Sequence, residues 1–356
     1  MNIFHTVVVV PCLNEEMRLQ ATCMSLGFGQ SIQPPSNTTL VIVDNGSCDG
    51  TISIAKKIQT EAPAGSVVIT DESERGYVPP RHRGAVIAKE IAQSSGLNES
   101  QVLILQTDAD TTYNENYVDN MRRAARDAPD RPLILKARTI YPPDFISHHT
   151  SFFELCGECD APFEHLLTDH PDDVIIDDKA CGYRLSDYLE WGGHQREFTS
   201  CGDEIHSETT RLFMRAMTFA CQIAFVDEAV ACHSVRKVRS HPIIEFVTSG
   251  YPRGKAWLDR CLTKFSEIDS IDSLQAYDYT DTLLQAAIQI RQSHVLGLFG
   301  VLPLYITRTL ERATSLEYEP WAPNVQLPRR SLEFLRQNPG AMIVEALDAT
   351  EKLLSE

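Results

Sequence analysis

Leu103-Ile104-Leu105-Gln106-Thr107-Asp108-Ala109-Asp110 runs from a continuous apolar segment straight into two carboxylates two residues apart. A short unbroken apolar run is the pattern of a strand buried on both faces. Two acids just beyond its end make an oxygen-rich site, which suits Mg²⁺ or Mn²⁺ together with the phosphates of a ligand. Asp is also frequent in solvated turns, where its side chain bonds the local backbone. A three-residue Asp-x-Asp is weak on its own, so its meaning depends on what surrounds it.

Working outward, strand-like runs fall at residues 6–11, 40–43, 66–70 and 132–136, with the quoted strand at 102–105 and a further short one at 223–226. Helix-like segments at 51–58, 84–92 and 114–126 lie between them. Short apolar strands alternating with helices predict an α/β domain whose mostly parallel, Rossmann-like sheet is covered on both faces. Ligands of such sheets bind beyond the carboxyl ends of the strands. The loops after strands one, two and four are polar there: Pro11-Cys12-Leu13-Asn14-Glu15, Asp44-Asn45-Gly46-Ser47 and Asp108-Ala109-Asp110. Asp44 or Asn45 suits the edge of a nucleobase, and the first loop offers backbone groups and the Glu15 carboxylate to ribose hydroxyls. Asp49 reads as a helix start. Glu16 reads equally as favourable charge at a helix N-terminus.

Composition sets bounds. The chain has 356 residues, 43% of them hydrophobic, enough for a sizeable core. Its 32 basic and 49 acidic side chains leave a net charge of −17, a poor balance for nucleic-acid binding. Any phosphate ligand must therefore meet a metal or a few placed cations. No basic stretch or cleavage site marks the N-terminus as a signal peptide. The longest apolar run, residues 295–306, contains two Gly and a Pro and falls short of the ~20 residues of a membrane span. It reads as a buried helix, or at most a patch touching a membrane surface. Ten cysteines without a secretion signal suit a reducing cytoplasm.

These segments resemble family 2 nucleotide-sugar glycosyltransferases with the GT-A fold. Pro11 to Glu15 is similar to the family's Pro-x-x-Asn-Glu start. Asp44 to Thr51 resembles its Val-Asp-(Asp/Asn)-Gly-Ser-x-Asp-Gly-Thr motif, and Arg81-His82-Arg83-Gly84-Ala85 its Ala-Arg-Asn-x-Gly-Ala segment, with His82 in place of Asn. The resemblance covers about the first 240 residues. It implies a nucleotide diphosphate sugar donor held by Pro11, Asn14, Glu15, Asp44, Asn45, Ser47, Arg81 and Asp108. It also implies Mn²⁺ or Mg²⁺ on Asp108 and Asp110, and transfer to an acceptor hydroxyl with inversion.

The same resemblance extends to Trp191-Gly192-Gly193-His194 and Cys201-Gly202-Asp203-Glu204, similar to the family's Gly-Gly-Phe and Gly-Glu-Asp segments. The last acid of that pair is the family's base. Here the order is reversed, so position points to Glu204 and residue type to Asp203. Both are expected to open a helix at 204–217, and capping that helix is the competing role. The run ending in His233 is similar to a family strand whose His joins the metal or phosphates. Arg236, Lys237 and Arg239 follow, and Arg236 is the candidate phosphate contact, against a plain solvated loop.

Cys156, Cys159, His165 and His170 have the spacing C-x2-C-x5-H-x4-H. That departs from zinc-finger spacing, and the window reads instead as a helix carrying cysteines, with surface histidines. The division expected is a catalytic domain at 1–241 and a helical region at 242–356. Three rivals stand beside this reading. A nucleotidyltransferase would carry a Gly-rich loop after strand one, which Pro11 to Glu15 lacks. A retaining transferase would need no base at Asp203 or Glu204. A non-catalytic nucleotide-sugar binding relative is permitted by the Asp203-Glu204 reversal and His82. The acceptor, the sugar and the oligomeric state have no readable motif.

Overall fold

Residues 6–10 are Thr-Val-Val-Val-Val, β-branched side chains that pack well on a pleated surface. In the computed structural model they form the middle of β1 (His5–Cys12), with Val7, Val8 and Val10 fully buried. The structure describes residues 3–128, 131–167, 173–251, 253–276, 280–311 and 325–355. Seven further strands follow: β2 (Thr38–Asp44), β3 (Val67–Asp71), β4 (Val102–Gln106), β5 (Thr112–Tyr113), β6 (Leu133–Ile140), β7 (Cys181–Arg184) and β8 (Gln222–Cys232). They make one sheet in the order β3-β2-β1-β4-β7-β6-β8-β5. β3, β2, β1 and β4 pair in parallel, as do β6 and β8, whereas β7 and β5 run against their neighbours. The architecture is therefore α/β with a mostly parallel sheet.

Register brings the strand ends into line. Cys12 pairs with Asp44, Asp44 with Asp71, and Val9 with both Val41 and Gln106. The loops carrying Asn14, Asp44 and Asp108 thus leave the same edge of the sheet. Helix Val78–Ser94 lies against β1 through Gly84, where a Cβ would stand 2.2 Å from Val9 Cγ1. Between β6 and β8 the register jumps: Ala137 faces Val226 and Arg138 faces Val230. The far half of β8 then pairs with β5, Thr112 facing Cys232. This carries His233 to the edge where Asp110 lies.

Three sequence expectations are corrected here. The strand read at 223–226 extends over all of β8. The expected helix at 204–217 begins at Glu208 (Glu208–Met217), because Ser207 adopts a left-handed φ of 61°, which a helix cannot include. β7 and β5 were not read at all, being four and two residues long.

The chain divides into two compact units. The first holds the whole sheet: Met1–Tyr141, Ile176–Arg196 and Glu208–Ser234. The second comprises Pro142–Ile175, Glu197–Ser207 and Val235–Glu356. Among its described residues the regular elements are helices, joined by loops and by a small hairpin closed by a bridge between Phe198 and Glu204. The apolar run at 295–306 is helical and largely buried. Helix Thr282–Val295 passes through a π-helical turn, Leu296–Val301, into helix Leu302–Glu311. Pro303 has no N–H to give its preceding turn, and the backbone widens just ahead of it. Gly297 sits where a Cβ would meet Thr350 Oγ1 at 2.8 Å, so its absence lets helix Pro339–Ser355 approach closely. Among the described residues, no helix is long and apolar enough to cross a membrane.

Candidate functional site

In the first unit the loop after β1 and the turn after β2 brace each other. Asn14, at φ 57°, accepts from the Cys48 amide at 2.8 Å and donates its own amide to Ser47 Oγ at 2.9 Å. The Glu15 amide donates to Thr51 Oγ1 at 2.7 Å. Asp44 accepts from the amides of Gly46 and Ser47 at 3.1 and 3.2 Å, which folds the turn over its own carboxylate. Pro11, in β1, sits directly beside Val43. Asn45 is buried, and its amide donates to the carbonyls of Glu72 and Glu74 at 2.9 and 2.7 Å, so it braces the loop after β3. Asp49 and Glu16 both serve the start of helix Thr51–Glu61, accepting from Thr51 at 3.0 Å and Gly50 at 2.6 Å.

Beyond β4 lies a cluster of charge. Arg81, 9% exposed, places Nη2 2.7 Å from Asp108 Oδ1 and Nε 3.1 Å from Glu208 Oε1. Asp108 is 32% exposed and Glu208 3%, so the guanidinium pins the accessible acid to a buried one. These carboxylates raise the Arg81 pKa against the opposing effect of burial, and the group stays charged. Asp178 accepts from the Thr209 amide at 3.1 Å. Burial, then repulsion from Glu208, pushes its carboxyl up to about 7. Asp177 holds Lys179 at 2.5 Å. That ammonium, then His233, overcomes burial and draws Asp177 down to about 2. The His233 ring stacks on Tyr141 at 4.7 Å between centroids, and its amide donates to Ile140 at 2.9 Å.

Arg81 is thus a partner of the strand-end acids rather than a bare cation facing solvent. His82 Nδ1 lies 3.0 Å from Tyr188 Oη, which also accepts from the His194 amide at 2.9 Å. His194 Nε2 lies 3.4 Å from Thr209 Oγ1, beside Asp178. Asp203, Glu204 and Arg236 belong to the second unit. Asp203 accepts from the Ala256 amide at 2.9 Å and so caps helix Lys255–Lys264. Glu204 forms the bridge with Phe198, and Arg236 opens helix Arg236–Ser240.

Sequence reasoning missed Glu208, Asp177, Asp178 and Lys179. Glu208 had a signal: Ser207 directly before an acid is a helix-start pattern. The other three precede the unread β7 and had none. Cys156 and Cys159 lie on helix Thr150–Asp160, their thiols pushed up to about 11 by burial, which disfavours the thiolates zinc needs. His165 is exposed on helix Glu164–Leu167, and His170 lies outside the described residues.

A divalent ion fits the donor set. Asp108 and Asp110 are hard oxygen ligands two residues apart, and Mg²⁺ commonly uses one or two carboxylates with waters and substrate phosphates. Among the described residues no three His, Cys, Asp or Glu form a closed cage. An open site of that kind needs none.

Residues 7–187 match the model of glycosyl transferase family 2. The chain belongs to glycosyl transferase family 2. Its mostly parallel sheet is of the GT-A type, and a helical C-terminal region follows. Among curated proteins, it is 30% identical over 116 residues to the succinoglycan biosynthesis protein ExoA of Rhizobium meliloti (strain 1021). That match covers 33% of this chain and 31% of ExoA, so it spans about a third of the curated relative's length. Among solved structures, S. aureus TarS 1-349 aligns with a TM-score of 0.47 at 12% identity, covering 99% of this chain and 90% of that one. The mannosyltransferase PcManGT of Pyrobaculum calidifontis, solved with GDP-Man and Mn²⁺, aligns at 0.47 and 16% identity over 96% and 85%.

Proposed function

We propose that this family 2 member transfers a sugar from a nucleotide diphosphate donor to an acceptor hydroxyl, with Mn²⁺ or Mg²⁺ and with inversion. One observation carries the reading. Three adjacent parallel strands deliver Asp44, the Asn14-Glu15 loop and Asp108-Ala109-Asp110 to one sheet edge, where Asp108, Asp177, Asp178 and Glu208 share Arg81 and Lys179 as cations. Four carboxylates against two cations favour a bound divalent ion. Asp108 and Asp110 would hold it, with His233 near the same edge. When bound, it neutralises diphosphate charge and acts as a Lewis acid.

Asp44 faces the base on a turn that Asn45 braces, Glu15 faces the ribose, and Pro11, Asn14 and Ser47 shape the loop they share. Arg81 keeps Asp108 in place, and Arg236 contacts phosphate. The base is Glu204. Its position as the second acid after Gly202 supports this, and Asp203 caps helix Lys255–Lys264. We assign residues 1–241 to catalysis and 242–356 to a helical accessory region. Ten cysteines, all unpaired, support a reducing, cytoplasmic setting.

The test is release of nucleoside diphosphate from a panel of UDP- and GDP-sugars with Mn²⁺. The full chain should release product from at least one donor, and Asp110→Asn should abolish both release and Mn²⁺-dependent donor binding. Unchanged donor affinity in Asp110→Asn would remove the metal assignment.

A further inference from the structure

Lys179 enters the proposed function only as a counter-charge, yet it stands at the strand-end site. Its backbone is fixed by Tyr113, whose hydroxyl donates to the Lys179 carbonyl at 2.9 Å and accepts from the Asp108 amide at 3.2 Å. One side chain therefore ties Lys179 to the first acid of the metal motif. Its ammonium rests on Asp177 with 21% of the side chain exposed, whereas Arg81 is 9% exposed and forked between two carboxylates. Of these two cations, Lys179 is the one with reach.

Topology says which part of a donor it would meet. β7 pairs with β4 antiparallel, Gln106 facing Cys181, so Lys179 emerges at the same sheet edge as Asp108. Moving along that edge, the order is β2 with Asp44, β1 with Asn14, β4 with Asp108, then β7 with Lys179. Asp44 and Lys179 are separated by three strand spacings, ~14 Å. A nucleotide whose base lies at Asp44 and whose phosphates reach Asp108 extends toward Lys179 with its last phosphate. An ammonium is a compact point charge with three donors, well matched to phosphate oxygens.

We propose that Lys179 binds the sugar-linked phosphate of the donor, exchanging its Asp177 partner for phosphate oxygens. This rests on the nucleotide-sugar reading above. Asp177 and Asp108 keep the ammonium protonated against the effect of burial, so the charge is present throughout the physiological range.

The experiment titrates the full chain with Mn²⁺ and UDP, UMP, GDP or GMP in a calorimeter. For whichever base binds, Lys179→Met should reduce the preference for diphosphate over monophosphate by about tenfold or more, the scale of one lost charge-assisted hydrogen bond. Lys179→Arg should keep part of that preference. Because Lys179→Met strands Asp177, the pair Asp177→Asn/Lys179→Met serves as the second variant and should show the same loss. Wild-type diphosphate preference in both variants would overturn the role of Lys179 and leave the donor reading standing. Equal weakening of mono- and diphosphate would overturn it as well. Failure of the wild type to bind any of the four nucleotides would remove the donor reading, and this assignment with it.

Discussion

Asp178 and Glu208 lie beside Arg81, and the arrangement has a cost that depends on pH. The Asp178 carboxyl titrates near 7 in the fold and near its ordinary value of about 4 when unfolded. Between those values the native state holds a proton that the unfolded chain has lost, so stability falls as pH rises through the window. Asp178→Asn keeps an acceptor for the Thr209 amide and removes the charge. Its melting temperature relative to wild type should therefore rise more at pH 8 than at pH 5, measured without metal. An identical difference at both values would contradict the placement. At the same scale, Glu204→Gln should slow transfer by roughly 10²–10⁴ with little change in donor binding. Asp203→Asn should cost less turnover and should loosen helix Lys255–Lys264. The reverse order would move the role of base to Asp203. A larger effect from Glu208→Gln, with donor binding kept, would move it to the first unit. Near-normal transfer in all three would favour a retaining mechanism.

Elements explain which parts of the protein could be read in advance. β1, β2 and β4 were legible because each is a continuous buried run ending in a polar loop, and their order placed Asp44 and Asp108 on one edge. β7 was not legible, since Cys181-Gly182-Tyr183-Arg184 is short and contains a Gly that only packing explains: a Cβ there would lie 2.7 Å from Leu105. With β7 unread, nothing in the sequence set Asp177, Asp178 and Lys179 apart. The helix start was misplaced because Asp203 and Glu204 resemble capping acids, whereas Ser207 turns the chain first. Contact between helix Val78–Ser94 and β1 is a test at this scale. Gly84→Ala drives a methyl into Val9 and should destabilise the fold by about 1–3 kcal/mol in urea unfolding. Adding Val9→Ala should recover part of the loss. Strictly additive losses would show that the two sites do not meet.

At the scale of the whole molecule, a chain with net charge −17 gathers acids that outnumber their cations at the strand ends, where the proposed donor would enter with a metal. The sheet unit holds the proposed donor edge, and the helical unit carries Asp203, Glu204 and Arg236. Donor binding is therefore the property on which every other assignment depends. A ligand that binds only the folded state stabilises it, by about 2.7 kcal/mol at a hundredfold excess over Kd. The most direct measurement is the melting temperature of the full chain with UDP, GDP and their sugars, with and without Mn²⁺. At least one nucleotide diphosphate should raise it in the presence of Mn²⁺ and fail to do so without metal or in Asp110→Asn. A melting temperature unmoved by every nucleotide with Mn²⁺ present would contradict the account.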